Sequence, residues 1–455
     1  MNRTLAFVFL AAALTLIAAA QPVARWWERR QLTREHTAAA ASAAGALRLE
    51  AALSHRRPLE GGATFVRYDV RASDATVVGA EQPVQLALVI DRSGSMAGEK
   101  IARAREAALA FVELLEPQDE VALVTFGSDT TELPLRRADT EGKEAMRRFI
   151  ANISESGGTN ISAGLERASA LLEAAPVRGV RRVVLMSDGR PTEGTTNVED
   201  LVRLVLRIHG RRMAVTSLGI GYDFDGVLMH RLSQQGGGFY AYLDDPKRLT
   251  TVLALELLQA RRAVARNATL RLELSGGVEL VQVAGREVSS SGNVARVPLP
   301  DFAAGQTAQA FVELRLPPGT IAFEAVAWLE YVDAAGNSTT GAPAALSANT
   351  TADAQEAEAS KDVMVTAACI LAIGSTQMVA AAQAFERGDR SAANGLMSAA
   401  RGIFSQSADA LAGEIADVEK TTKRWANTHD AQAISHEAKG LSRKKMLNFG
   451  ENNAY

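Results

Sequence analysis

Leu86-Ala87-Leu88-Val89-Ile90-Asp91-Arg92-Ser93-Gly94-Ser95-Met96 is the stretch around which the rest of the chain is organised. Its five leading apolar residues fit a parallel strand covered on both faces. The strand ends in one carboxylate and two hydroxyls at i, i+2 and i+4, and a helical pattern begins at Glu99. In an open α/β sheet, ligands gather just past the carboxyl ends of the strands. A strand-to-helix loop there can turn Asp91, Ser93 and Ser95 toward one point. Hard oxygen ligands arranged in this way suit Mg²⁺, which takes octahedral geometry and retains some water.

An Asp-x-Ser-x-Ser loop by itself often only caps a helix. Two further stretches extend it. Gly157-Gly158-Thr159-Asn160 places a hydroxyl at the start of a helix predicted over Ile161–Ala174, and Val183-Val184-Leu185-Met186-Ser187-Asp188-Gly189 is a second buried strand ending in a carboxylate. The three pieces together resemble the von Willebrand factor type A domain and its metal-ion-dependent adhesion site. The five positions of that site are matched by Asp91, Ser93, Ser95, Thr159 and Asp188. The resemblance implies a bound Mg²⁺ or Mn²⁺. It also implies that the hydroxyls bind the ion directly or through water, that the carboxylates often act through water, and that a partner's Asp or Glu completes the coordination. The alternative is that these residues only cap helices and satisfy loop backbone.

A chain of 455 residues, 47% hydrophobic and 22% charged, has ample material for roughly two to four domains. A net charge of −3 gives no reason to expect nucleic acid as a partner. The N-terminus reads as an export signal, residues 1–20, with Arg3, the apolar run Leu5–Ala20, and cleavage after Ala18-Ala19-Ala20. The competing reading is an uncleaved anchor: counting on to Ala24 gives about 20 residues, enough to cross a bilayer, with Trp26-Trp27 at the interface. Arg25, Arg29 and Arg30 count against that topology. Either way the chain is expected outside the cytoplasm, in the periplasm, at the cell surface or secreted, touching membrane only if the segment is retained. The single cysteine, Cys369, permits no intrachain disulfide and reads as a small buried hydrophobe.

Residues 21–45 read as a linker and 46–82 as two alternating strands. Residues 83–263 alternate strand and helix, the pattern of a doubly wound, mostly parallel sheet. Residues 264–341 are short strands at turn-marked spacings, a sandwich signature. A lone hairpin is marginal in water, so the strands before residue 82 are expected to join that sandwich, with the α/β domain inserted between its pieces. Residues 342–353 read as a second linker and 354–440 as a helical region. There, Val363–Ala380 is expected to be a core helix rather than a membrane span, and 441–455, with Arg443-Lys444-Lys445, a solvated tail.

Enzymatic motifs are missing: no H-E-x-x-H, no G-x-S-x-G and no Walker A loop. Gly219-Ile220-Gly221 reads as a turn, Asp225 as a helix cap, and His429 and His436, seven apart, as surface residues. The arrangement as a whole resembles exported bacterial proteins with one von Willebrand A domain. The likeness rests on Asp91–Met96 with Gly98-Glu99-Lys100, Gly219–Leu232, Gly285-Arg286-Glu287 and Arg443–Met446. The expected function is therefore a non-enzymatic module that captures an acidic group of a protein partner through the bound cation. The alternative is an envelope structural or assembly factor in which the metal only stabilises the domain.

Overall fold

The computed structural model describes residues 39–74, 82–188, 190–220, 225–243, 248–428 and 431–446. The expected export signal, Tyr222-Asp223 and His429 lie outside them. The chain enters through β1 (Ala39–Ala44), β2 (Leu47–Leu53) and β3 (Ala63–Ala72). Along β2, Leu47, Leu49, Ala51 and Leu53 face inward, the period of two expected of a half-buried strand. The alanine run expected to be linker is instead a strand, paired with β2 from Ala39 to Ala44. Alanine's weak strand preference hides it in the sequence; the pairing with β2 overrides propensity. Gly45 makes the hairpin possible. Its φ is 75°, and a Cβ there would stand 2.2 Å from the Tyr331 hydroxyl.

The α/β domain follows in order: β4 (Val84–Asp91), α1 (Glu99–Leu114), β5 (Glu120–Phe126), β6 (Thr130–Arg137), α2 (Thr140–Ala151), α3 (Ile161–Glu173), β7 (Val180–Ser187), α4 (Val198–Gly210), β8 (Ala214–Ile220), α5 (Gly226–Gln235), β9 (Gly237–Leu243) and α6 (Leu249–Arg261). The sheet order is β6-β5-β4-β7-β8-β9, parallel except for β6. β4 is central and buried along its whole length. On one face α1, α2 and α6 bury Phe111, Met146 and Leu253; on the other α3, α4 and α5 bury Leu165, Val205 and Leu228. Gly164 lets α3 lie close to the sheet, since a Cβ there would meet Phe126 and Val89 side chains at 2.9–3.0 Å. Asp225 caps α5 by accepting from the Leu228 amide.

Beyond it the chain forms β10 (Ala263–Leu274), β11 (Glu279–Val283), β12 (Ser289–Ser291), β13 (Val294–Pro298), β14 (Phe302–Ala303), β15 (Thr307–Arg315), β16 (Ala322–Asp333), β17 (Ser338–Thr340) and β18 (Ala344–Asn349). β3 pairs antiparallel with β15, from Ala63 opposite Arg315 to Arg71 opposite Thr307. One sheet thus runs β1-β2-β3-β15-β11 and the other β12-β13-β10-β16-β17, with β14 on β10 and β18 on β16. Leu49, Tyr68, Leu272, Phe302 and Leu329 fill the space between them. The α/β domain is inserted between β3 and β10. The second expected linker contains β18, which pairs with Ala322–Ala327. Its small residues signal a loop in sequence, but they alternate correctly against β16.

The C-terminal region holds α7 (Ala354–Ala359), α8 (Val363–Glu386), α9 (Arg390–Phe404), α10 (Ala408–Asn427) and α11 (Ala431–Met446). Asp362 accepts from the Met364 and Val365 amides and starts α8 afresh after α7. Among the described residues α8 is the helix long and apolar enough to cross a membrane. Here it packs Val365, Cys369 and Ile370 into a core with Phe65 and Phe311. Burial pushes the Cys369 thiol up to about 12. Phe385 stacks on Trp425 at 4.2 Å between centroids. The expected solvated tail is corrected too. α11 continues to Met446, and Lys445 is fully buried against Glu414 and Asp417, because the acidic pair on α10 compensates its charge.

Candidate metal-ion site

β4 and β7 are neighbours in register, with Ile90 beside Met186, so Asp91 and Asp188 end adjacent central strands at the carboxyl edge of the sheet. After Asp91 the chain makes a 3₁₀ turn over Gly94–Met96 and leaves through Gly98, at φ 79°, into α1. The Asp91 carboxylate accepts from the Ser93 amide at 2.8 Å and from the Ser187 hydroxyl at 2.5 Å. Ser93 and Ser95 hydroxyls lie 3.0 Å apart, and Ser95 Oγ donates to Asp188 Oδ1 at 2.8 Å. Four of the five sequence-derived residues therefore form one hydrogen-bonded run.

Thr159 arrives on the loop before α3, which is strapped to the first loop through its main chain. The Ser156 amide donates to Arg92 O at 2.7 Å, and the Gly94 amide to Gly157 O at 3.1 Å. From the other side the Thr159 amide donates to Thr192 Oγ1 at 2.9 Å, and Thr159 O accepts from the Thr192 amide at 3.0 Å. Gly158 and Gly194 permit this closure. A Cβ on Gly158 would stand 2.4 Å from Glu193 Oε1, and one on Gly194 2.1 Å from Asn160 Oδ1. Thr159 is 4% exposed, whereas Ser95 is exposed at the mouth.

Asp91 and Asp188 are 0% and 1% exposed. Burial raises the Asp91 pKa, and the neighbouring Asp188 charge adds to the rise against the opposing hydrogen bonds from Ser187 and Ser93. Sequence reasoning assigns no role to Lys100, yet its ammonium pairs with Asp188 Oδ2 and donates to Ser95 O at 3.2 Å. Only its place in the first turn of α1, nine residues after Asp91, could have signalled this. Among the described residues Asp91 has no cationic partner, and a buried carboxylate without one is costly. A set of carboxylate and hydroxyl oxygens beside it fits a hard divalent cation. Among the described residues no group of three or more His, Cys, Asp or Glu side chains could hold a metal. Among the described residues, a cation at this edge would draw on hydroxyls as well as carboxylates.

A doubly wound sheet with this edge defines the class. Residues 84–242 match the family model of the von Willebrand factor type A domain, and the chain contains such a domain. Domains of this type generally act as protein-interaction modules rather than enzymes, and often hold a divalent metal. Among its relatives, the chain is 33% identical over 196 residues to inter-alpha-trypsin inhibitor heavy chain H4 of Bos taurus, covering 40% of this chain and 21% of that protein. It is 33% identical over 164 residues to the Homo sapiens H4 chain, covering 34% and 18%. The matches thus span about a fifth of those relatives' length. Among solved structures, a von Willebrand factor type A protein from Catenulispora acidiphila superposes with a TM-score of 0.64 at 18% identity, over 93% of this chain and 99% of that one. The ArnB paralog VWA2 from Sulfolobus acidocaldarius gives 0.55 at 17% identity, over 90% and 100%.

Proposed function

We propose that the chain is an exported protein-binding module, working in the periplasm, at the cell surface or in secreted form. It captures an Asp or Glu of a protein partner at a Mg²⁺ or Mn²⁺ held by Asp91, Ser93, Ser95, Thr159 and Asp188. The observation that carries this reading is the hydrogen-bonded run from Asp91 through Ser93 and Ser95 to Asp188. When bound, the cation would supply a positive centre that neutral hydroxyls leave under-neutralised, so an incoming carboxylate is held strongly. The chain's own residues prepare the approach. Lys100 offsets the Asp188 charge, and Arg92, next to Asp91, is held at the rim by its ion pair with exposed Asp129.

A second reading has its own support: the loop after Asp188 is tied to the helical region, with Arg190 Nη2 2.7 Å from Glu386 Oε1. A factor that binds through the sandwich and helices, with the metal only stabilising the domain, would use that link. The test is a pull-down from cell envelope, with and without chelator, using wild type, Asp91→Ala and Thr159→Ala. Capture should fail in chelator and in Asp91→Ala. Thr159→Ala should lose partner binding more than metal binding, measured by calorimetry with Mg²⁺. An Asp91→Ala protein that captures its partner as well as wild type does would sink the adhesion-site mechanism.

A further inference from the structure

At the opposite end of the sheet from the candidate metal site, the α/β domain meets the sandwich across a cleft of about 560 Å³. That volume lies within the range of small-molecule pockets, which favour domain junctions. Five arginines line the cleft, Arg178, Arg181, Arg211, Arg212 and Arg266, against one carboxylate, Asp301. Asp301 is already engaged: it pairs with Arg182 at 3.2 Å and accepts from the Asn267 amide at 2.6 Å. Arg211 has Glu173 at 2.5 Å, and Arg178 has only Glu120 at 3.9 Å.

The other three have no carboxylate within ion-pair distance among the described residues. Arg181 donates to Ala175 O, Arg212 to Ser338 Oγ and Arg266 to Asp333 O. Arg266 Nε and Asn267 Oδ1 are buried without any hydrogen-bond partner. Burial depresses the Arg266 pKa, and the charges of Arg182 and Arg212 add to this against the pull of Asp301 and Asp333. Arginine nevertheless stays charged. Backbone strain converges on the same place: Arg212 (φ 63°) and Asn267 (φ 50°) are the non-glycine residues at positive φ among those described, and both line the cleft. Unneutralised guanidinium groups, the orphaned Arg266 Nε donor and backbone strain gather in this one cavity.

We propose that this cleft binds a small organic oxyanion, a phosphate ester or a polycarboxylate, through Arg181, Arg212 and Arg266. The forked donors of arginine match both chemistries. Pro83, Val177 and Val332 would face the body of the molecule. Because the arginines come from both domains, the bound anion braces their junction. This inference stands independently of the metal site.

The test is calorimetric titration and thermal unfolding of the full chain with inorganic phosphate, glucose 6-phosphate and citrate, each against sodium chloride at equal ionic strength. Glucose 6-phosphate or citrate should raise the midpoint by roughly 3–8 °C at a hundred-fold excess over its Kd, and the one that does identifies the source. Exposed Arg212→Gln should weaken that binding roughly ten-fold or more with an unchanged circular dichroism spectrum. Arg266→Gln should do the same while raising the midpoint in chloride, because it removes an uncompensated charge. Asp91→Ala should titrate as wild type does, which separates this site from the other. The proposal is overturned if neither organic anion outperforms chloride and inorganic phosphate, or if Arg212→Gln and Arg266→Gln both keep the wild-type titration.

Discussion

Replacing Asp91 with asparagine separates a cation-binding role from a loop-capping one. The carboxylate accepts from the Ser93 amide and the Ser187 hydroxyl. Asparagine keeps one acceptor oxygen, so one of those buried donors loses its partner, at a cost of about 1–3 kcal/mol. Against this, the variant no longer confines a charge beside Asp188, and an uncompensated buried charge costs several kcal/mol. The two effects largely cancel. In chelator, Asp91→Asn should unfold within about 2 kcal/mol of wild type. With Mg²⁺ at a hundred-fold excess over its Kd, wild type gains about 2.7 kcal/mol and the variant nothing. Urea unfolding followed by circular dichroism, in Mg²⁺ and in chelator, reads both numbers. The gap should open only with metal. An Asp91→Asn protein that Mg²⁺ stabilises as much as wild type refutes the cation argument. A variant that loses more than about 3 kcal/mol in chelator shows instead that the carboxylate is a structural cap.

Two other perturbations follow from buried groups. Burial holds the His209 imidazole below the ordinary histidine range, aided by Arg182 and opposed by Asp301 and Gly236 O. A depressed histidine contributes stability that is full above the unfolded value of about 6.5 and is lost as pH falls through the folded value. Stability should therefore decline on acidification below about pH 6.5, and His209→Gln should flatten that decline; an unchanged slope removes His209 as its source. Gly374→Ala sets helix propensity against packing. Alanine gains about 1 kcal/mol in a helix, but its Cβ would lie 2.2 Å from the buried Phe404 ring, and overpacking costs about 1–3 kcal/mol. Urea unfolding should show net destabilisation, and a more stable variant means that Phe404 moves aside freely.

The α/β elements were legible because their burial is extreme and therefore written as runs. β4 is apolar at every position but Gln85 and Asp91, and β7 carries the unbroken run Val183–Met186. The insertion was legible for a different reason: the alternation of Leu47, Leu49, Ala51 and Leu53 demands a second layer, and only the later strands supply one. What failed were segments whose strand character is imposed by neighbours. Ala39–Ala44 and Ala344–Asn349 carry little intrinsic preference, and they become strands only because β2 and β16 offer open edges. Lys445 failed likewise. A basic run looks solvated until Glu414 and Asp417, three residues apart on another helix, are known to face it.

The same division runs through the two candidate sites. Asp91, Ser93, Ser95 and Asp188 could be grouped from sequence because strand ends in a parallel sheet fall on one edge, so position along the strand stands in for position in space. Lys100 could not be placed that way, since its reach to Asp188 depends on the pitch at which α1 leaves the Gly98 turn. The arginine cleft lies further still from any sequence signal. Its members come from the strand β7, the turn after α4 and the strand β10, in two domains whose chains interleave. Arginines scattered among many others in the sequence carry no periodicity that marks them. They become a cluster only when β10 leaves the α/β domain at Ala263 and sets Arg266 and Asn267 beside Arg212. The insertion of one domain in the other is thus what creates the cleft. Any ligand bound there reports on the junction rather than on either domain alone, so the anion response should disappear in any variant that unpairs β3 from β15, even where the α/β sheet itself stays folded.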